Sequence, residues 1–224
     1  MGNRAECKPS QVNTLLETVK AEIRAGGNGK ANANQGIPVL YQNGFTYTDT
    51  PQAMQAFEAI KNGQSVFLTG VCGSGKTALA IALMNSWFAN SMQATEDGDI
   101  LPFKGVPRFI TTQELLLKIK QSWHEKENLR GESEASILDK FSSPPLITLD
   151  DIGAEKPSEW ARGVLVLLID RRYRDAKQTI FTSNLGLQEL SEKIDDRISS
   201  RICEMAIVID MGKKDWRVYG KRNN

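Results

Sequence analysis

The chain has little of what several common protein classes depend on. Its only histidine is His124, which excludes a catalytic triad built on histidine. Its three cysteines, Cys7, Cys72 and Cys203, are scattered and odd in number, which favours a reducing compartment over a disulfide framework. Neither residue type forms a cluster with metal-ligand spacing. Histidine and cysteine therefore predict no metal centre.

Long hydrophobic runs and a strong net charge are also missing. No apolar run approaches the roughly 18 residues of a membrane span. The first ten residues are polar and lack the apolar centre of a secretion signal, so we expect a cytoplasmic protein. The formal net charge is +1, so any nucleic-acid contact would have to come from local patches.

Composition divides the chain into three expected parts. Residues 1–25 contain a short helical element, because apolar residues recur at helical spacing within 11–25. Residues 26–37 are rich in Gly, Asn and Ala, which predicts a flexible linker. Residues 38–224 form the expected globular domain. The apolar stripe of the first helix fits docking on a partner and docking on its own domain equally well.

From residue 51 onward, helical and extended patterns alternate. The patterns predict strands at 65–69, 108–111, 146–149, 179–182 and 206–209. They predict helices at 51–61, from the phosphate loop to about 91, at 113–123, ending near 141, at 158–176 and at 187–194. The polar stretch 93–105 is expected to be an exposed loop. This alternation is typical of an α/β fold with a parallel sheet in a three-layer α/β/α sandwich.

A complete phosphate-binding motif, Gly-x-x-x-x-Gly-Lys-Thr, follows the first predicted strand. Its glycines let successive backbone N–H groups turn into an anion-binding concavity, and the next helix adds its positive end. Lys76 can reach the β- and γ-phosphates, and the Thr77 hydroxyl can bind Mg²⁺. The expected nucleotide-binding residues are Gly70, Val71, Cys72, Gly73, Ser74, Gly75, Lys76, Thr77 and Ala78.

Polar residues end two later strands. Asp150 at the tip of the third strand can hold magnesium, and Asp151 can polarise the attacking water. The alternative is a pair of exposed turn aspartates. Asn184, which ends Thr182-Ser183-Asn184, can orient that water or merely cap the next helix.

Basic residues suggest contacts with other molecules. Arg201, or else Arg197, could reach the γ-phosphate of a neighbouring subunit, although a solvated helix end is the alternative. Lys118 and Lys120, near Trp123, suit single-stranded DNA, although a solvated amphipathic helix would look the same. A further cluster could contact a neighbouring subunit or face solvent, and it comprises Arg171, Arg172 and Arg174.

Together these elements resemble a known family. After the phosphate loop come, in order, LITLDDIG, LIDRRY, TSNL and RISSRI. The set resembles the bacterial helicase-loader ATPases of the DnaC type, which are close to the IstB helper ATPases of IS21-type transposons within the AAA+ initiator clade. The resemblance covers about residues 40–218. It implies an AAA+ P-loop NTPase core with a five-stranded parallel sheet, and ATP and Mg²⁺ as cofactors.

The resemblance also implies roles by position. Asp150 and Asp151 match the Walker B pair, and Asn184 matches sensor 1. Arg201 matches the arginine finger, with Arg197 as second candidate, and Arg217 matches the sensor 2 arginine. Many AAA+ enzymes have Glu where this chain has Asp151, so slow or regulated hydrolysis is expected. Since the chain ends soon after Arg201, we expect the helical lid domain to be absent or vestigial.

The implied function is ATP-dependent helicase loading in DNA replication. Such a protein would form a homo-oligomer through the ATP site on single-stranded DNA and deliver or remodel the replicative DNA helicase. One alternative is a transposition helper that acts on duplex DNA and a transposase. A second is an ATP-gated adaptor with negligible hydrolysis. A small-molecule kinase is disfavoured, because the sequence shows no substrate pocket or lid.

Overall fold

The computed structural model describes residues 50–95, 99–125, 132–154 and 158–215, together with Glu17, Ala21 and Gly36. Apart from those three positions, the expected helical element at 1–25 and linker at 26–37 lie outside the described residues. No helix among the described residues combines the length and the apolar character that crossing a bilayer requires.

Most of the strands form one parallel sheet. In chain order the strands are β1 (Ser65–Thr69), β2 (Met92–Ala94), β3 (Ile100–Pro102), β4 (Arg108–Thr111), β5 (Leu146–Asp150), β6 (Gln178–Ser183) and β7 (Ala206–Asp210). The sheet has five strands in the order β4-β5-β6-β1-β7, and every neighbouring pair is parallel. The predicted five-stranded parallel sheet is therefore confirmed.

Helices connect these strands and cover both faces of the sheet. They are α1 (Pro51–Lys61), α2 (Lys76–Ser91), α3 (Thr112–Glu125), α4 (Glu134–Ser142), α5 (Glu159–Arg174), α6 (Leu187–Lys193) and α7 (Asp196–Met205). Several of them begin with a side-chain N-cap. The side chains of Thr50, Ser133 and Ser158 accept backbone N–H groups in the first turns of α1, α4 and α5.

Two hydrophobic cores lie on opposite faces of the sheet. Alternation along β1 sends Val66 and Leu68 to the core shared with α1 and α2. Phe67 points to the other core, together with apolar residues of α3 to α7. The strands β1 and β5 are buried on both faces, as is typical of parallel strands between helical layers. This arrangement confirms the three-layer α/β/α prediction.

Two segments differ from the sequence-based expectation. The stretch 93–105 is not simply an exposed loop, because β2 and β3 pair as an antiparallel hairpin, with Met92 opposite Pro102. Its strands have three residues each, too few for a period-2 pattern to stand out. Residues 196–205, for which no helix bounds were predicted, form α7, which buries Ile198 and Ile202.

The side chain of Arg172 is completely buried. Arg172 therefore neither faces solvent nor contacts a neighbouring subunit, which were the two expectations for the arginine cluster. Its guanidinium donates to Thr179 Oγ1 at 2.9 Å and to the carbonyl oxygens of Ser142 and Pro144 at 3.0 and 2.9 Å, and also to the Gln178 carbonyl. Burial lowers its pKa to about 9, so it remains charged near neutral pH. Through these hydrogen bonds, Arg172 of α5 holds the end of α4 and the start of β6 in place.

Replacing Arg172 by methionine should destabilise the domain by about 3 kcal/mol, because several buried carbonyl groups would lose their donors. The matched control is Arg174→Met. The Arg174 side chain is 62% exposed and forms an ion pair with Asp170 on the same helix. Urea unfolding of both variants measures the difference. Equal losses for the two would show that the Arg172 contacts are not a structural anchor.

Candidate nucleotide site

The phosphate loop joins β1 to α2 at the carboxyl edge of the sheet. The register places Thr69 at the end of β1 beside Ser183 of β6 and Asp210 of β7. β5 pairs with β6 and ends at Asp150 on the same edge. Polar residues from strands far apart in sequence therefore meet around the loop.

The loop has the tight geometry expected of an anion cradle. Gly70, Gly73 and Gly75 all have positive φ values, of 147°, 80° and 93°. The N-cap residue of α2 is Gly75, which has no side chain to cap the helix, so the positive end of α2 faces the loop. Ser74 is buried, and its hydroxyl has no hydrogen-bond partner among the described residues. A glycine cradle with an orphaned buried hydroxyl fits a bound phosphate group.

The remaining loop residues differ in exposure. Val71 and Cys72 lie on the exposed rim, whereas Ala78 is buried in the first turn of α2.

Lys76 lies inside the loop and is 7% exposed. Its ammonium donates to the carbonyl oxygens of Gly70 at 2.8 Å and Val71 at 2.9 Å. It also donates to Asn184 Oδ1 at 2.8 Å, which links the loop to the end of β6. The positive charge is therefore held at the carboxyl edge of the sheet.

Asp150 and Thr77 form the part of the site suited to a cation. The Thr77 hydroxyl donates to Asp150 Oδ1 at 2.9 Å, and the Thr182 hydroxyl donates to the same oxygen at 2.6 Å. Burial raises the pKa of Asp150, although both hydroxyl hydrogen bonds oppose the rise. Carboxylate and hydroxyl oxygens suit Mg²⁺, which takes few protein ligands when phosphates supply others. The residues present therefore fit magnesium.

Asp151 and Asn184 complete a hydrogen-bonded chain. Asn184 Nδ2 donates to Asp151 Oδ1 at 3.0 Å, while Asn184 Oδ1 accepts from Lys76. Asp151 has a left-handed backbone with φ of 59°, and its N–H donates to Thr182 Oγ1 at 2.8 Å. Asp151 is half-buried and Asn184 is exposed, so a ligand at this edge could reach both.

Thr182 is a site residue that sequence reasoning missed. Its hydroxyl touches both members of the carboxylate pair, donating to Asp150 and accepting from the backbone of Asp151. It stands two positions before Asn184 in the Thr182-Ser183-Asn184 segment. Its position in a strand that ends at the site was the only available signal.

The structure does not bring Arg197 and Arg201 to this network. Among the described residues, Arg201 contacts Asp170 at 3.3 Å and Glu204 at 3.7 Å, and its guanidinium lies 4.5 Å from the Tyr173 ring centroid. Arg197 forms an ion pair with Asp195 at 2.9 Å. Both arginines line a groove of about 260 Å³ between α5 and α7.

Some predicted residues lie outside the described part of the chain, Arg217 among them. Lys118 and Lys120 are exposed on α3, whereas the side chain of Trp123 is not among those described.

Three curated proteins are similar in sequence to most of this chain. It is 20% identical over 200 residues to the replicative helicase loader DnaC of Escherichia coli K12, covering 89% of this chain and 67% of that protein. It is 27% identical over 138 residues to the loader DnaI of Bacillus subtilis, covering 61% of this chain and 38% of DnaI. An IS21 ATP-binding protein of Pseudomonas aeruginosa is 27% identical over 168 residues, or 73% of this chain and 56% of that one.

Solved structures show the same fold. A crystal structure of the DnaC helicase loader matches with a TM-score of 0.57 at 22% identity, covering 74% of this chain and 93% of that one. Domain III of the Thermotoga maritima initiation protein DnaA matches with a TM-score of 0.57 at 20% identity, covering 75% and 65%. The described core therefore has the fold of these two proteins.

The family model described as IstB-like ATP binding protein matches residues 49–222, which is most of the chain and includes the phosphate loop, both aspartates and Asn184. The chain belongs to the IstB-like ATP-binding protein family.

Proposed function

We propose that this protein is an ATP-hydrolysing helicase loader of DNA replication. The observation that carries the ATPase part is the connected chain Lys76–Asn184–Asp151 beside the Thr77–Asp150 pair. It joins a phosphate-binding cation, a water-orienting amide and a carboxylate at one edge of the sheet. Similarity to proteins named as replicative helicase loaders supports the loader part.

Each group has a role in phosphoryl transfer. The loop N–H groups and Lys76 bind the phosphates and offset the negative charge that develops on them. Thr77 and Asp150 would hold Mg²⁺, which would supply further neutralisation of phosphate charge. Asp151 and Asn184 orient the attacking water, and Asp151 accepts its proton. Arg217 remains a predicted sensor 2 residue.

Assembly supplies the remaining cation. Arg201 lies in the α5–α7 groove, and among the described residues it makes no contact with its own phosphate loop. We therefore assign it to the ATP site of a second copy of the chain, where it stabilises the transition-state charge. Hydrolysis then depends on a homo-oligomer that shares its ATP sites.

Exposed basic residues and the names of the relatives support the proposed partners. Exposed Lys118 and Lys120 on α3 offer phosphate contacts for single-stranded DNA. The replicative helicase is the protein partner, in line with the names of DnaC and DnaI.

A second candidate function is supported by the family itself. The matching model carries the IstB name, and an IS21 ATP-binding protein is 27% identical to this chain. A transposition helper would use the same ATP site but would bind duplex DNA and a transposase. ATPase stimulation by duplex DNA rather than single-stranded DNA would favour this function over helicase loading.

Replacing Asp151 by Asn should lower the ATP hydrolysis rate by about 100-fold or more, because the amide cannot accept the proton of the attacking water. ATP affinity should change little, since Asp151 is not assigned a direct contact with the phosphates. Steady-state turnover and equilibrium ATP binding measure the two effects. If wild type and variant both hydrolyse ATP at the same negligible rate, the protein is an ATP-gated adaptor instead.

For the wild type, ATP turnover per molecule should rise with protein concentration and with single-stranded DNA. Arg201→Ala should lower turnover at saturating ATP by about 1,000-fold while leaving ATP binding by one subunit unchanged. Arg197→Ala is the matched control from the same groove and should lose less than about tenfold. Activity that is independent of concentration and of Arg201 would contradict a shared ATP site.

A further inference from the structure

The segment after β7 lies directly on the phosphate loop. Met211 N–H donates to the Thr69 carbonyl at 2.8 Å, and Val71 N–H donates to the Gly212 carbonyl at 3.3 Å. Gly212 turns with a φ of 78°, and its N–H donates to Asp210 Oδ1 at 2.8 Å. Residues 211–215 therefore form a strap, which is fastened to both ends of the turn that begins the loop.

The strap fits the loop closely at Gly70. A Cβ added there would lie 3.0 Å from the Gly212 carbonyl oxygen and 3.3 Å from Met211 Cβ. A side chain at Gly70 would therefore require the strap to shift by a few tenths of an ångström. The strap therefore packs closely against the loop at Gly70.

At its far end the strap places a carboxylate on the loop. The Asp215 carboxyl group lies against Gly73, so close that a Cβ at Gly73 would overlap both its carbon and an oxygen. Asp215 is half-buried, so its charge is less screened than that of a fully exposed side chain. An internal negative charge thus occupies the immediate surroundings of a loop suited to binding anions.

The Asp215 carboxylate and the phosphates of a bound nucleotide would compete for the same positive groups of the loop. The loop N–H groups and the amino end of α2 attract any nearby anion, whether it is this carboxylate or a phosphate. A nucleoside triphosphate brings several negative charges to the same few ångströms, where like charges repel. Either the carboxylate stays and weakens binding, or the strap must move it away.

We propose that Asp215 is a built-in competitor of the nucleotide phosphates, which lowers affinity in proportion to phosphate charge and ties nucleotide binding to the position of strap 211–215. This inference rests on the proposed nucleotide site. It adds to that site a residue from the end of the domain that selects against the more highly charged nucleotide.

The test compares nucleotide affinity in Asp215→Asn and Asp215→Ser with that of the wild type. Both variants remove the charge, and serine also removes bulk. At low salt we expect ATP to bind about five- to tenfold more tightly to both variants, ADP to gain less, and uncharged adenosine to gain nothing. Raising the salt to about 0.5 M should shrink the gain for ATP, because surface charges are then screened.

Two further variants separate this inference from the proposed site. Asp99→Asn removes an exposed carboxylate from the β2–β3 hairpin and should leave all affinities unchanged. Lys76→Ala should abolish ATP binding. If it does, yet the Asp215 variants bind ATP as the wild type does, the inference is wrong and the site stands.

Other outcomes also decide. Equal weakening of ATP, ADP and adenosine in the Asp215 variants would show that the carboxylate binds the ribose or base instead, which overturns the inference. If neither the wild type nor the Asp215 variants bind ATP, the proposed site fails, and the inference fails with it.

Discussion

The parallel hydrogen-bond ladder is the constraint on which the rest of this molecule depends. Parallel strands all end at one edge, and β1 lies between β6 and β7 with β5 next to β6. Residues 69, 150, 183 and 210 therefore come together although the first and last of them are far apart along the chain. The burial of β1 and β5 fixes the register, since a one-residue slip would move each apolar side chain to the core on the opposite face.

Within this frame the charges of the site are balanced locally. Asp150 is a buried carboxylate whose ionised form is disfavoured by burial and supported by two hydroxyl donors. Lys76 is a buried ammonium that donates to two backbone carbonyls and an amide. Such groups are costly to bury without partners, and here each partner comes from an element that the sheet already holds in place.

The sequence predicted the elements whose signals are local. The phosphate loop, the buried strands and the polar residue ending β6 each stand out within a few positions. It could not predict the role of Arg172 or Thr182, because their partners lie on other elements and burial of an arginine leaves no periodic signal. The contact of Asp215 was missed for the same reason, since it joins the end of the domain to Gly73 near its beginning. The hairpin was missed because its strands are very short.

Asn184 shows what a neutral side chain can do between two opposite charges. Its oxygen faces the ammonium of Lys76 and its nitrogen faces the carboxylate of Asp151. Turning the amide over would set donor against donor at one end and acceptor against acceptor at the other, so the two charges fix its orientation. The carboxamide therefore links the two charged groups in one fixed orientation. A displacement of Lys76 would change its hydrogen bond to the Asn184 oxygen, and through the same amide group the hydrogen bond from the Asn184 nitrogen to Asp151.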